Sequence, residues 1–127
     1  MAIPYDASAV KNYEITGTQF QLGYLDASEA AYLDQEFSKV EMKGIGENFS
    51  PEIKIDVSGK QLEAVRLKLK GAENFGGTTF EFVDKQYPFG KRKVLSEKSL
   101  NFVKPFIAEI GQQIILQSSM NGEQEKN

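Results

Sequence analysis

Hydrophobic and polar residues alternate along the first part of the chain, and the alternation changes phase once. In residues 13–24, YEITGTQFQLGY, the hydrophobic positions share one strand face up to Ile15 and the opposite face from Phe20 onward. Gly17 lies at the change, where a bulge or a sharp bend would reconcile the two halves. The pattern therefore predicts one long first strand, bent at Gly17, as a small and strongly coiled barrel needs.

A helix is predicted over residues 27–38. Asp26 and Glu29 have the spacing of a capping box, with an acid in place of the usual Ser or Thr. The hydrophobic residues behind them recur at helical spacing. A short strand that ends near Lys43 is predicted next, followed by a loop.

Residues 53–70 have the pattern of a second hairpin. Hydrophobic and charged residues alternate from Ile53 to Val57, as in a half-buried strand, and the turn signal SGK follows. The return strand is predicted to run to Lys70, with its hydrophobic residues facing inward and its basic residues facing outward. This outward basic ladder consists of Arg66, Lys68 and Lys70.

Two further strands are predicted over residues 79–84 and 91–95, joined by the stretch DKQYPFGKRK. Beyond them, Ser96 has the position of a helix cap, but Pro105 would interrupt that helix. The same segment, SLNFVKPF, also fits an edge strand, and both alternatives stay open. The apolar stretch IAEIGQQIIL is expected to close the core.

These elements predict a mostly β fold, an OB-fold-like β-barrel with one or two short helices, with α+β as the alternative. A single domain is expected over residues 13–116, which is long enough to bury a modest core. An extended N-terminal arm, residues 1–12, would precede it. A polar, flexible tail, residues 117–127, would follow it.

Composition excludes several kinds of chemistry. The 127 residues contain no Cys and no His, so thiol catalysis, thiolate metal sites and the commonest general base are all absent. No secretory leader is recognisable, and no apolar run approaches the roughly 18 residues of a membrane-spanning helix. We therefore expect a soluble, cytoplasmic protein with no membrane partner, no cofactor and no metal site, and one that is not an enzyme.

Charge is distributed unevenly along the chain. Residues 1–50 carry 3 Lys/Arg against 8 Asp/Glu, whereas residues 51–104 carry 11 against 7. Halves of opposite sign indicate either a polyanionic partner or charge-matched self-association. A solvated surface on which charges happen to cluster is the plainer explanation.

The basic segment also contains aromatic residues, and together these predict a surface for single-stranded nucleic acid. Such surfaces need cations along the backbone path and flat rings on which bases stack. The stretch DKQYPFGKRK places two rings between basic residues, and AVRLKLKG extends the basic surface. The rings could equally fold back onto the core. The candidate binding residues are Arg66, Lys68, Lys70, Lys85, Tyr87, Phe89, Lys91, Arg92 and Lys93.

Over residues 13–104 the chain resembles the small OB-fold single-stranded-DNA-binding proteins of phages and conjugative plasmids. The resemblance rests on YEITGTQFQLGY, AVRLKLKG and DKQYPFGKRK. It implies a five-stranded barrel with nucleic acid crossing its strands and hairpin loops. The function it implies is cooperative binding of single-stranded nucleic acid without sequence specificity, in phage or plasmid DNA metabolism. DNA is the favoured ligand, and RNA stays open as the alternative.

A different class of function is also compatible with the sequence. The arm AIPYDASAV and the acidic first half are typical of a structural or assembly subunit of a phage or mobile element, in which arm exchange and charge-matched stacking drive self-association. A third interpretation, an inhibitor that mimics nucleic acid, rests on the acidic segment 26–47 alone.

Overall fold

The fold is α+β in a computed structural model that describes residues 6, 8–44 and 50–124, without the side chains of residues 41–43, 50 and 120–124. The described residues form seven strands and four helices. The strands are β1 (Val10–Ile15), β2 (Thr18–Gly23), β3 (Ser38–Lys43), β4 (Ser50–Ile55), β5 (Leu69–Glu73), β6 (Phe82–Tyr87) and β7 (Gly90–Leu95). The helices are α1 (Ala27–Glu36), α2 (Val57–Lys68), α3 (Glu97–Phe102) and α4 (Ile107–Gln124), with a short 3-10 helix, Lys104–Phe106, before α4.

The strands form three small antiparallel sheets that do not close into a barrel. One sheet has the order β1-β2-β5, and the pairs β3-β4 and β6-β7 form the other two. The predicted OB-fold-like barrel is therefore wrong, and with it the five-stranded barrel that the resemblance implied. The chain has the α+β character that was predicted as the alternative.

The predicted long first strand is a hairpin. Thr16 and Gly17 have φ angles of 45° and 89°, which make a two-residue turn with two left-handed positions. Tyr13 then pairs with Phe20, so the two halves of the alternation share one sheet face. The phase change was located correctly, but it marks a reversal of the chain instead of a bend.

The predicted return strand over residues 61–70 is mostly helix α2. The Asp56 side chain accepts a hydrogen bond from the Gly59 N–H at 3.0 Å, so the residues that resembled a turn form the first turn of a helix. Helix α2 packs against α1, α4, β5 and β7. Its residues 63–65, 67 and 68 are buried, and the outward basic ladder predicted for this segment does not form.

Several local predictions are confirmed. Asp26 and Glu29 form the capping box at the start of α1, with both reciprocal hydrogen bonds present. The stretch DKQYPFGKRK joins two paired strands. Ser96 caps α3, and the 3-10 turn that contains Pro105 separates α3 from α4. For that segment the helical alternative is correct, and the edge strand is not.

The core lies between the β1-β2-β5 sheet and helices α2 and α4. Phe20 and Leu22 from the sheet are fully buried with Ile110 and Ile114 of α4. Helix α4 continues to Gln124, through residues 117–124 of the segment predicted as a flexible tail, and residues 125–127 lie outside the described residues. The buried Gln117 side-chain amide donates to the backbone carbonyls of Leu22 at 3.2 Å and Gly23 at 3.0 Å, which fixes α4 on the sheet.

Part of the predicted N-terminal arm belongs to the sheet, since β1 begins at Val10. Residues 1–5 and 7 of the arm lie outside the described residues, and so does the loop 45–49.

Candidate functional site

The β6–β7 hairpin carries both rings that were predicted to stack on bases, and it turns them toward the protein. Tyr87 is 3% exposed. Its ring stacks on Phe89 with centroids 5.1 Å apart and an angle of 11° between the planes. Tyr32 of α1 meets Tyr87 and Phe89 edge-on, at 5.4 and 5.6 Å. These three residues, the aromatic cluster, attach the hairpin to α1 by contacts within the chain.

Glu63 of α2 lies beneath this cluster. The Tyr87 hydroxyl donates a 2.6 Å hydrogen bond to Glu63 Oε2. The other carboxylate oxygen accepts from Arg66 at 2.9 Å and forms an ion pair with Lys85 at 3.5 Å. Burial, and then the hydrogen bond to Glu63, raise the pKa of the Tyr87 hydroxyl above its ordinary range. Tyr87 therefore remains a protonated hydrogen-bond donor at neutral pH.

Glu29 of α1 is the second buried carboxylate, and it is fully enclosed. Its Oε1 accepts a hydrogen bond from the Asp26 backbone N–H and forms an ion pair with the Lys68 ammonium, both at 2.9 Å. Its Oε2 accepts from Arg92 Nε at 3.2 Å, and Arg92 also bonds the Asp26 carboxylate at 3.2 Å. The capping residues of α1 thus join α1 to α2 and to β7.

The candidate cations are for the most part engaged by acids of the same chain. Lys93 pairs with Asp84 at 3.3 Å, while Lys70 and Lys91 have no ion-pair partner among the described residues. Partial burial and the nearby Lys68 charge lower the pKa of the Lys70 ammonium. The other four basic residues bond to Glu29 or Glu63 and are Arg66, Lys68, Lys85 and Arg92.

Some of the ion pairs join the acidic first segment of the chain to the basic second one, through Lys60, Lys68 and Arg92. The acidic helix α1 and the basic hairpin β6–β7 are folded against each other, so opposite charges meet within one molecule. Rings and cations also combine in the same place: Lys85 lies 4.9 Å from the Tyr87 ring centroid, and Arg92 lies 4.8 Å from that of Phe89. The site predicted from the sequence is, in this structure, a set of contacts that joins α1, α2 and β6–β7.

A second candidate surface lies on the two-stranded ribbon formed by β3 and β4. Val40 and Ile53 are directly opposite each other, and Ile55 lies opposite Ser38 on the same face. The exposed fractions are 67% for Val40, 68% for Ile53 and 55% for Ile55. The ribbon therefore presents branched apolar side chains to solvent. We call this surface the apolar ribbon face.

On the opposite face of the ribbon, Lys39 and Lys54 are directly across from each other. Like charges in this position stabilise a ribbon less than opposite charges would. The described residues contribute no third strand to either edge of the ribbon, and a lone two-stranded hairpin is only marginally stable in water.

The sequence contained a signal for this ribbon, but it was assigned to the core. The alternation from Ile53 to Val57 was interpreted as a half-buried strand, and both of these residues are exposed. Alternation shows that one strand face is apolar, but it does not show what covers that face. Val57 also begins helix α2 instead of continuing the strand.

Two further findings concern the described part of the chain. It contains no helix long and apolar enough to cross a membrane. It also contains no group of three or more Asp or Glu side chains arranged to hold a metal ion.

Comparison with known proteins gives no family to which the chain can be assigned. No protein family, curated protein or solved structure matches this chain at a significant level.

Proposed function

We propose that this protein is a self-assembling interaction subunit, and that the β3–β4 ribbon is its docking element. The observation that carries the proposal is the exposure of Val40, Ile53 and Ile55 on one face of a two-stranded ribbon. Contiguous apolar surface of this kind is typical of protein interaction sites. Burying one Val or Ile side chain contributes about 1.5–3 kcal/mol, which favours covering the face and offsets part of the cost of association.

A second copy of the chain is the occupant that we propose for the apolar ribbon face. Two apolar sheet faces pack about 10 Å apart with interdigitating side chains, and two copies related by a two-fold axis offer each other the same face. The flat, branched surface at Val40 and Ile53 suits a partner of the same shape and chemistry. Self-association of this kind also stabilises a hairpin that has few means of stabilising itself.

The proposed function belongs to the assembly class that the sequence offered as an alternative, but the contact lies on the β3–β4 ribbon instead of the N-terminal arm. The N-terminal arm was the predicted element of self-association, and half of it, residues 1–5 and 7, lies outside the described residues. The ribbon now carries the proposal. A cytoplasmic location is part of it, and the absence of Cys, which suits a reducing compartment, supports that part.

The proposal is tested by the mass of the protein in solution, measured by light scattering at several concentrations. We expect a mass above the 14.2 kDa of one chain. Replacing Val40 and Ile53 together by Thr keeps the β-branched shape and adds a hydroxyl to each. We expect this double variant to lose the face-to-face contact, so that its mass falls below that of the wild type, and to keep its fold, because both residues are exposed in the single chain.

Val10→Thr and Val83→Thr are matched controls. Val10 is exposed on β1 and Val83 on β6, away from the ribbon. Both control variants should keep the mass of the wild type. A wild-type protein that is monomeric at all concentrations would contradict the proposal, as would a ribbon variant that keeps the mass of the wild type.

Binding of single-stranded DNA stays a prediction. Of its candidate residues, Lys91 and Lys93 are exposed on β7, whereas Tyr87 and Lys68 are enclosed by contacts within the chain. Fluorescence anisotropy with a labelled oligonucleotide at two salt concentrations tests it. On the present proposal we expect at most weak binding; tight binding that falls steeply with salt would restore the nucleic-acid interpretation.

A further inference from the structure

We propose that two copies also join edge to edge through β4, antiparallel about a two-fold axis at Ile53. This inference rests on the proposed self-assembly and specifies one of its contacts. It places Ile53 opposite Ile53 of the second copy and forms a four-stranded sheet with the order β3-β4-β4-β3. Antiparallel addition of strands at an open edge is a common way for chains to associate.

The backbone of β4 is suited to pairing at its open edge. Proline has no N–H, and within a sheet its nitrogen points away from the neighbouring strand. Pro51 lies opposite Met42 of β3, so its nitrogen faces the open edge. Residues two positions apart have the same orientation, which directs the N–H and C=O of Ile53 toward that edge as well. The Ile53 residues of two copies can therefore donate to and accept from each other through their backbone N–H and C=O groups. In this register Pro51 lies opposite Ile55 of the other copy, so the hydrogen bond that proline cannot donate is lost only at the two ends of the pairing.

The charges of β4 match this register. In an antiparallel pairing centred on Ile53, Glu52 of one copy lies opposite Lys54 of the other, and the pair occurs twice. Within the single chain, Lys54 faces a like charge, Lys39. Glu52 and Lys54 each also have an interaction within their own chain. Side chains of this length can contact a second partner at the same time. Opposite charges across strands stabilise a sheet, whereas like charges destabilise it.

The same two-fold axis places the apolar ribbon faces of both copies side by side. Because it runs perpendicular to the sheet, the side chains of Val40, Ile53 and Ile55 from both copies lie on one side of the four-stranded sheet. The face-to-face contact proposed above then joins two such sheets, which gives an assembly of four copies with two kinds of two-fold contact.

Disulfide cross-linking tests the register, and the absence of native Cys makes the test clean. We would mix Glu52→Cys protein with Lys54→Cys protein, oxidise the mixture and identify the linked peptides by mass spectrometry. In the proposed register the two introduced thiols are directly opposite, within disulfide range, while one Glu52–Lys54 pair remains intact. We expect the mixed disulfide to exceed either homotypic disulfide by about tenfold, because two Cys at the same position are offset beyond disulfide reach.

A mixture of Lys39→Cys with Glu41→Cys is the matched control. These two residues flank Val40 on β3 as Glu52 and Lys54 flank Ile53 on β4. We expect no mixed disulfide from it. Cross-linking of the β3 pair, or homotypic products as abundant as the mixed product from β4, would overturn the register and leave self-assembly standing. If the wild-type chain is monomeric in solution, both the register and the proposed function fail.

Discussion

Two carboxylates, Glu29 and Glu63, are buried at points where cations from other parts of the chain meet them. Glu29 bonds Lys68 of α2 and Arg92 of β7, and Glu63 bonds Lys85 of β6. Removing one partner of a buried pair leaves the other charge without compensation, which costs far more than the pair contributes while intact. We therefore expect Glu29, with its two cations, to be among the least tolerant positions of the chain.

Replacing Glu29 by Ala should lower the free energy of unfolding by about 3–5 kcal/mol. The change removes half of the capping box and leaves Lys68, which is 7% exposed, without its carboxylate. Urea-induced unfolding followed by circular dichroism measures the difference.

Asp34→Ala, on the same helix, is the matched control. The Asp34 ion pair with Lys60, at 2.8 Å, is largely exposed on the Asp34 side. Its loss should cost less than about 1 kcal/mol. Equal effects of the two substitutions would show that the Glu29 network is not a major source of stability.

At this scale the sequence predicted the local interactions and missed the distant ones. The capping box at Asp26 and Glu29 follows from spacing along the chain, and it is present. The bond from Glu29 to Arg92 joins residues 63 positions apart, and no local pattern encodes it. Tyr87 illustrates the same limit, because the sequence left open whether its ring faces solvent or core, and the position of Tyr32 and Glu63 decides it.

At the scale of elements, the packing of α2 against α4 depends on a close approach at Gly111. A Cβ atom at this position would lie 2.5 Å from the backbone carbonyl oxygen of Gln61. The glycine is therefore needed for the distance between the two helices, not for an unusual backbone conformation.

Gly111→Ala should destabilise the protein even though Ala is the better helix former by about 1 kcal/mol. The added methyl group meets backbone, which cannot move aside as a flexible side chain can. Thermal unfolding should show a lower midpoint. The difference between Leu116→Ala and Leu116→Gly, at an exposed interior position of the same helix, gives the size of the propensity effect alone. A higher midpoint for Gly111→Ala would mean that the helices adjust without cost.

Helix α2 also shows why some elements could not be predicted. A helix with one buried face has a clear period in its sequence, but α2 has neighbours on several sides and is buried at consecutive positions from Glu63 to Val65. The hydrophobic residues then recur at spacings that also fit a strand. By contrast, α1 and the β6–β7 hairpin are marked by a cap and by a turn, which are local signals, and both were predicted.

At the scale of the whole molecule, the three sheets differ in what covers them. The β1-β2-β5 sheet packs on α4, and the β6–β7 hairpin is held by α2 and by the aromatic cluster. The β3–β4 ribbon instead exposes its apolar face. The barrel interpretation placed all strands around one core, so it had no place for a ribbon of this kind. The central claim is that a second copy covers the ribbon.

Hydrogen exchange measured by mass spectrometry at rising protein concentration tests this claim most directly. In an assembly formed through the ribbon, association stabilises the ribbon, so the hydrogen bonds between β3 and β4 open less often than in the single chain. We expect peptides from Ser50–Ile55 to exchange more slowly as concentration rises, while peptides from α2 keep the same rate. Exchange in β4 that is independent of concentration, over a range in which the mass is that of an assembly, would contradict the claim.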